Sequence, residues 1–298
     1  MAKSKDEIYA EITEAFITTI KTDGTVPWRK GWTCDGILPS NFQSKRPYRG
    51  MNSMWLGLLQ QAKGYTTPYW STFNAARKSG GSVRKGEKGS MAILWKFLAV
   101  EDKQNPGEMK RVPMLKTFTV FNLDQIDGID YVRPTVGQER EPSGFHDWLR
   151  GTYTEPPAFQ QIECPQAYYS PASDLVVVPA SWQFESELAE AETIGHEYVH
   201  STGHPSRLER FDLSWFERQD YAKEELVAEI GAAMLMQQYG IEPNVPMMAA
   251  YVQSWLKALE NDHSLIVSAA QKAQKAVDRI TGYQYIEETI PTEQEVAA

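Results

Sequence analysis

The stretch Thr193-Ile-Gly-His-Glu-Tyr-Val-His-Ser-Thr-Gly-His204 contains two histidines four residues apart, His196 and His200, and Glu197 directly follows the first. On an α-helix, residues at this spacing point from the same face, so both imidazoles can bind one metal ion. Glu197 would then hold a water molecule at the metal rather than the metal itself. The alternative is a helix that buries two histidines without a metal. It is disfavoured because two ionisable rings on one face are costly to bury without a partner.

A zinc site of this kind needs a third protein ligand and leaves a fourth position to water. His204 continues the spacing of four, but Gly203 and Pro205 indicate that the helix ends before it. A longer histidine pattern, H-E-x-x-H-x-x-G-x-x-H, is also incomplete, because Ser206 stands where its third histidine would be. The third ligand is therefore expected further along the chain.

Residues 221–235 have the composition and periodicity of a helix, and Glu225 and Glu229 lie one turn apart on the same face of it. One carboxylate can bind the metal, and the other can accept the remaining N–H of a ligand histidine. The expected metal is Zn²⁺, and Mn²⁺ is an alternative for a set of two histidines and one glutamate.

The order of these residues resembles the gluzincin branch of metallopeptidases. The resemblance implies that His196, His200 and Glu225 bind the metal, that Glu229 supports a ligand histidine, and that Glu197 is the catalytic base. The reverse assignment, with Glu229 as the ligand and Glu225 behind it, stays open. Arg207 and Arg210 follow the histidine helix, and we expect them to pair with acidic residues; stabilisation of an oxyanion is the alternative.

A wider resemblance rests on residues 196–208 (HEYVHSTGHPSRL), residues 224–233 (EELVAEIGAA) and the aromatic, basic N-terminal half. Together they resemble the ArdC family of plasmid antirestriction proteins over nearly the whole chain. The resemblance implies a single-stranded-DNA-binding domain joined to a zincin-like metallopeptidase domain. It also implies protection of incoming plasmid DNA from host restriction during conjugation.

Two other functions remain compatible with these residues, and whether the chain is an enzyme stays open. The protein could be a DNA-recruited protease that cleaves DNA-bound proteins, such as a restriction enzyme. It could also coat single-stranded DNA while the metal domain has no catalytic role.

Charge is divided unevenly along the 298 residues, whose formal net charge is −9. Residues 1–125 hold 19 Lys and Arg against 11 Asp and Glu, whereas residues 126–298 hold 11 against 28. The length is typical of two domains. The opposite charges indicate that the domains have different partners, and the basic one favours nucleic acid.

Cations and aromatic residues alternate through residues 21–97, where 13 Lys and Arg and eleven aromatic residues occur with only three Asp and Glu. Cations neutralise phosphates, and aromatic rings stack on unpaired bases, so the combination favours single-stranded DNA over duplex. We expect more than half of these rings, including Trp55 and Trp70, to be core residues instead.

Two loops in this region are the predicted DNA contacts. The first precedes an apolar helix and the second has the glycines of a tight turn. The alternative for each is an ordinary solvated turn. The candidate contact residues are Lys45, Arg46, Tyr48, Arg49 and Asn52 in the first loop, and Arg84, Lys85 and Lys88 in the second.

The elements predict an α+β fold with two domains. Residues 5–21 form a helix with a face of Ile8, Ile12, Phe16 and Ile20, and residues 91–97 and 114–121 form a hairpin. Two prolines and two glycines within residues 132–144 are typical of a boundary. We predict an N-terminal domain of residues 1–131, a linker of residues 132–156, and a zincin-like domain of residues 157–298, in which residues 168–179 provide a strand.

The location is expected to be the cytoplasm. Cys34 and Cys164 lie in different halves, which does not suggest a disulfide framework. The N-terminal residues are polar and lack the apolar core of a signal peptide, and no apolar run is long enough for a membrane helix. No nucleotide-binding glycine motif is found, so nucleotide hydrolysis is not indicated.

Overall fold

The computed structural model describes residues 3–29, 37–101, 109–132, 140–211, 218–243 and 249–284. Both halves contain helices and strands, as expected for the α+β class, and in the C-terminal half three strands come before four consecutive helices. Trp32 and Cys34 lie outside the described residues. No helix in the described part of the chain has the length and apolar character that a membrane span requires.

The N-terminal domain is built on a four-stranded sheet. Its elements are β1 (Ser40–Asn41), α2 (Met51–Lys63), β2 (Tyr69–Ser71), α3 (Phe73–Lys78), β3 (Ser82–Val83), β4 (Ser90–Glu101), β5 (Met109–Asn122) and β6 (Ile126–Asp127), and they follow α1 (Lys5–Asp23). The strand order is β1-β2-β5-β4, and β3 pairs with β6 separately. The predicted hairpin is confirmed, since β4 and β5 pair from Ser90↔Val120 to Glu101↔Met109.

Helix α2 packs on this sheet through its polar side chains as well as its apolar ones. The Asn52 amide donates to the Ile93 carbonyl at 2.7 Å and accepts from the Ile93 N–H at 2.8 Å. Trp55 Nε1 donates to the Met91 carbonyl at 2.8 Å. Trp55 and Trp70 are buried, as predicted. Three side-chain polar atoms of α2 thus bond the backbone of β4, so the helix is not held by apolar burial alone.

The C-terminal domain comprises α4 (Phe145–Thr152), β7 (Ala158–Ile162), β8 (Tyr168–Ser170), β9 (Leu175–Pro179), α5 (Glu187–Ser201), α6 (Arg218–Tyr239), α7 (Ala249–Asn261) and α8 (Leu265–Thr281). Its sheet has the order β7-β9-β8, with β7 parallel and β8 antiparallel to β9. The predicted strand ending at Pro179 is β9, and β8 lies just before it. Helix α5 packs on β8 and β9, α6 packs on α5, and α8 packs on α6.

Helix α1 packs against α7 and α8, which come from the other end of the chain. Its predicted apolar face is buried, with Ile12 and Phe16 fully excluded from solvent. Thr13 Oγ1 donates to the His263 carbonyl at 2.6 Å, and Lys21 pairs with Glu260 at 2.7 Å. The periodicity therefore identified the buried face of α1 but not the helices that cover it.

Part of the predicted linker of residues 132–156 is packed in the structure. Residues 133–139 lie outside the described residues, and the remainder contains α4. Phe145 and Leu149 of α4 are fully buried, and α4 contacts α5 and α8. Residues 145–152 thus pack as part of the C-terminal domain, because two large apolar side chains one turn apart give this short helix a buried face.

Candidate metal centre

Helix α5 begins at Glu187 and presents both histidines from one face. The Ser186 hydroxyl accepts the Ala189 N–H, which caps the helix and leaves Phe184 outside it. The helix ends at Ser201, as Gly203 and Pro205 predict. His204 lies in the following turn, where its Nδ1 bonds the Ser206 hydroxyl at 2.8 Å. It is not part of the ligand cluster described next.

The side chains of His196, His200 and Glu225 converge on one point. The two Nε2 atoms lie 3.0 Å apart. Glu225 places one carboxylate oxygen 3.4 Å from His196 Nε2 and the other 3.2 Å from His200 Nε2. With bonds of about 2.0–2.1 Å, ligand atoms around a tetrahedral metal lie about 3.3–3.4 Å apart. The donor set and its spacing therefore fit a divalent metal ion.

Carboxylates also stand behind both imidazoles. His196 Nδ1 lies 3.9 Å from Glu229, and His200 Nδ1 lies 3.5 Å from Glu224. A carboxylate at Nδ1 favours the tautomer whose Nε2 lone pair faces the metal. The sequence pointed to Glu229 but missed Glu224. The one indication in the sequence that Glu224 lies near the site is its position next to Glu225.

Arg210 holds Glu224 in place, and both side chains are buried. The guanidinium makes two bonds to the Glu224 carboxylate, at 2.6 and 3.0 Å. It also donates to the Val199 carbonyl and the Thr202 hydroxyl at the end of α5. The expected acidic pairing of Arg210 is confirmed. One guanidinium thus joins the end of the histidine helix to the helix that carries Glu225.

The electrostatics of the cluster favour a protonated His200 and an ionised Glu225. Burial lowers the pKa of His200, but hydrogen bonds to Glu224 and Glu225 outweigh burial and raise that pKa to about 10. Burial raises the pKa of Glu225, yet the two histidines overcome burial and hold that pKa well below its usual range. A metal ion would compete with protons for these nitrogens.

Glu197 lies on the same helix and is buried, with 7% of its surface exposed. No hydrogen-bond partner for its carboxylate occurs among the described residues. Its charge raises the pKa of both histidines, so it lies close to them without being bonded to them. This arrangement leaves the carboxylate available to bind a water molecule.

Arg207 also has an acidic partner, as expected. Its guanidinium makes two bonds to Asp174, at 2.8 and 2.7 Å, and donates to the Ser201 carbonyl. Tyr169 donates a further hydrogen bond to Asp174 at 2.8 Å. Asp174 follows β8, so these bonds connect the strand end to the loop after α5.

The first predicted DNA loop is largely engaged with the rest of the protein. Lys45 Nζ lies 3.6 Å from the centre of the Phe42 ring, and Arg49 pairs with Asp278 on α8. Burial raises the pKa of the Tyr48 hydroxyl to about 12. Asn52 is bonded to Ile93, as described above. Arg46 is exposed.

The second loop is more open. Arg84 pairs with Glu87 at 2.9 Å and Asp127 at 3.4 Å, so it stabilises the turn itself. Lys85 and Lys88 are exposed. A sequence does not show which cations of a loop form ion pairs within the protein, as Arg84 does here.

Comparison with known protein families divides the chain into two matches. Residues 6–121 match the N-terminal domain of the anti-restriction factor ArdC, and residues 156–272 match a zincin-like metallopeptidase family. The two matches together cover both halves of the chain.

Individual relatives agree with these matches. The crystal structure of the Mn(II)-bound antirestriction ArdC protein from plasmid R388 is 38% identical, with a TM-score of 0.74, over 93% of this chain and 99% of that one. DNA primase TraC of Escherichia coli is 33% identical over 95% of this chain, which spans only 28% of the primase. An uncharacterized protein, y4eC of Sinorhizobium fredii, is 32% identical over 91% of both chains.

Proposed function

The chain belongs to the ArdC antirestriction family, and we propose that it protects incoming plasmid DNA from host restriction during conjugation by binding it as single strands. In this proposal the N-terminal domain binds the DNA and the zincin-like domain holds a divalent metal ion. The proposed compartment is the cytoplasm. A restriction enzyme or another DNA-bound protein is the proposed protein partner.

The convergence of His196 Nε2, His200 Nε2 and the Glu225 carboxylate carries the metal part of the proposal. We propose Zn²⁺ as the ion, with Mn²⁺ as the alternative that the R388 relative supports. A bound ion would polarise a carbonyl group and so make it more open to attack. Glu224 and Glu229 orient the two imidazoles, and Arg210 fixes Glu224.

Glu197 is the proposed general base of a peptide hydrolysis. Its carboxylate would take a proton from the attacking water and return it to the leaving nitrogen. This position favours a DNA-recruited protease as the second candidate function. In a protein that only coats DNA, the same carboxylate would have no chemical role.

The basic surface of the N-terminal domain supports the DNA part. Arg46, Lys85 and Lys88 are exposed, in a half of the chain that carries an excess of positive charge. Such cations release counterions from phosphates, which makes binding depend on salt. Tyr48, Arg49 and Asn52 are better placed to shape the first loop than to contact DNA directly.

A plasmid-transfer assay into a restricting host tests the proposal. We expect Lys85→Glu with Lys88→Glu to lose protection. The matched control, Lys272→Glu with Lys275→Glu on exposed positions of α8, should keep it. Equal protection by both double variants would refute the role of the second loop.

The variant Glu197→Gln separates the two candidate functions in the same assay. Loss of protection with metal and fold retained indicates that hydrolysis is needed, whereas full protection indicates a coating role. Elemental analysis of the purified protein should find about one metal ion per chain. Absence of metal after incubation with Zn²⁺ or Mn²⁺ would exclude the metal centre.

A further inference from the structure

A cavity of about 380 Å³ opens between α3 and β5 in the N-terminal domain. Its walls include Phe73, Asn74 and Lys78 from α3 and Phe118 and Thr119 from β5, and none of its lining residues is acidic. The volume falls within the range of about 300–1,000 Å³ that is usual for ligand sites. The cavity is lined by rings, hydroxyls, an amide and an ammonium group.

The Phe73 ring is 47% exposed at the edge of this cavity. It contacts Phe121 edge to face, with 6.4 Å between ring centres. Nearly half of the side chain remains exposed despite this contact, so the ring has surface available for stacking. Phe73 is an exposed aromatic ring in the basic half of the chain, and an exposed ring beside cations can stack on an unpaired base.

The sheet topology explains why the cavity exists. Strand β2 pairs with β5 only at Trp70↔Asn122 and Ser71↔Phe121. After Ser71 the chain turns into α3, whose first residue is Phe73. Within the described residues, the β2 side of β5 therefore has no neighbouring strand at Phe118 and Thr119, and the cavity occupies that position.

Two cations lie beside the cavity. The Arg77 guanidinium lies 6.0 Å from the centre of the Phe73 ring, and Lys78 lines the wall. The second predicted DNA loop reaches the same wall, because a Cβ atom on Gly89 would lie 2.2 Å from Thr119 Cγ2. Gly89 thus lets the loop that carries Lys85 and Lys88 pack directly against β5.

We propose that this cavity binds one unpaired nucleobase of single-stranded DNA, stacked on Phe73, with adjacent phosphates bound by Arg77 and Lys78. The proposal rests on the single-strand binding proposed above and identifies where a base is held. An open aromatic face with cations and no acid suits a base and its phosphates. A duplex does not fit, since its bases already stack on their neighbours.

Binding of a fluorescein-labelled oligothymidylate to the full chain, followed by anisotropy, tests this site. We expect Phe73→Ala to raise the Kd by roughly 5- to 100-fold, and Phe73→Trp to keep affinity close to the unaltered protein. The matched control is Trp182→Ala, which removes an even more exposed ring beside Glu187 in the acidic half and should leave the Kd unchanged.

A second variant tests the phosphate contact independently of the ring. Lys78→Gln should reduce the slope of log Kd against log salt by about 0.7, the value for one phosphate of a single strand. Lys78 is exposed, so the substitution removes no buried contact. An unchanged slope would remove Lys78 from the site.

The outcomes separate this site from the proposed function. If the unaltered protein does not bind the oligothymidylate, single-strand binding itself is refuted. If it binds and Phe73→Ala binds equally well, only the base pocket is refuted. A labelled duplex whose affinity falls by the same factor on Phe73→Ala would also overturn the assignment to an unpaired base.

Discussion

Glu225 and Glu229 occupy successive turns of α6, and their distances from the imidazoles suggest different roles. Glu225 reaches both Nε2 atoms within 3.4 Å, whereas Glu229 lies 3.9 Å from His196 Nδ1. The Nε2 atoms face the shared point and the Nδ1 atoms face away from it. The geometry therefore favours Glu225 as ligand over the reverse assignment.

Metal affinity distinguishes the two glutamates. We expect Glu225→Ala to abolish stoichiometric binding, because it removes one of three ligands. Glu229→Ala should weaken binding by only about 10- to 100-fold, the usual effect of losing an outer carboxylate. Isothermal titration with Zn²⁺ measures both, and the exposed Glu242→Ala serves as control. The opposite order of effects would assign the ligand role to Glu229.

Asp174 is a second residue whose environment determines its charge. Its carboxylate is partly buried, which raises the pKa, but Arg207 and Tyr169 outweigh burial and hold the pKa below the ordinary value. In turn, burial and the bond to Asp174 raise the pKa of Tyr169. The ionised form of Asp174 therefore binds its partners more strongly than the protonated form.

This lowered pKa predicts a pH dependence of stability. A depressed carboxyl pKa contributes stability above the unfolded-state value of 3.8, and the contribution disappears as the pH falls through the folded-state pKa. We expect Asp174→Asn to reduce stability near neutral pH and to flatten the loss of melting temperature below about pH 4. The exposed Asp130→Asn is the control, and identical pH curves for both variants would contradict the account.

At the scale of single residues, the sequence predicted the part of the candidate metal centre that lies on one helix. His196 and His200 are four apart, so the geometry of one helix turn suffices to bring them together. Glu224 was missed because its role depends on Arg210, which precedes it by 14 residues. Helix periodicity carries no information about such a pair.

The close approach of α5 and α6 depends on one glycine. A Cβ atom on Gly231 of α6 would lie 2.8 Å from Val199 Cγ2 on α5. Val199 precedes His200, and Gly231 lies on the same helix as Glu225. Any side chain at 231 would therefore push apart the two elements that carry the proposed ligands.

Substitution of this glycine should be destabilising, although alanine favours helices. We expect Gly231→Ala to lower the free energy of unfolding by about 1–2 kcal/mol, because overpacking outweighs the gain in helix propensity. Gly151→Ala, with no atom near its Cβ, should be neutral or slightly stabilising.

Adding Val199→Ala to Gly231→Ala should recover part of the loss by making room for the new methyl group. Denaturant unfolding of the unaltered protein, Gly231→Ala, Val199→Ala and the double variant measures the coupling between the two positions. Strict additivity of the two substitutions would show that the contact does not limit the packing.

Among the elements, strands and helices with clear periodicity were predicted well, whereas their partners were not. The β4–β5 hairpin follows from two apolar runs on either side of a polar insert. The packing of α1 on α7 and α8 could not be predicted. An apolar face shows that a helix is buried, but it does not show which elements bury it. The residues of α4 were assigned to the linker because prolines and glycines surround them, and not to the C-terminal domain against which they pack.

Across the whole molecule, packing does not follow the order of the chain. Helix α1 begins the chain but contacts α7 and α8, and Gly50 N–H bonds Gln274 of α8 at 2.7 Å. Arg49 pairs with Asp278 on the same helix. The N-terminal and C-terminal halves are thus joined through α8, which also packs on α6.

A charge on the buried face of α1 should therefore disturb the C-terminal helices. We expect Ile12→Asp to destabilise the protein by about 3 kcal/mol or more, since it buries an unpaired carboxylate. Hydrogen exchange should report lost protection in α7 and α8 as well as in α1. Thr18→Asp, on the exposed face of α1, should have little effect. Loss confined to α1 would contradict the shared packing.

The bond between Thr13 and His263 spans 250 residues, and this separation has a consequence during synthesis. At roughly 5–20 residues per second, a ribosome needs on the order of 12–50 seconds to produce the second partner after the first. Throughout that interval the apolar face of α1 cannot pack against α7 and α8, because these helices are not yet complete. Chaperones that bind emerging chains should therefore meet this protein early and release it only near the end of translation.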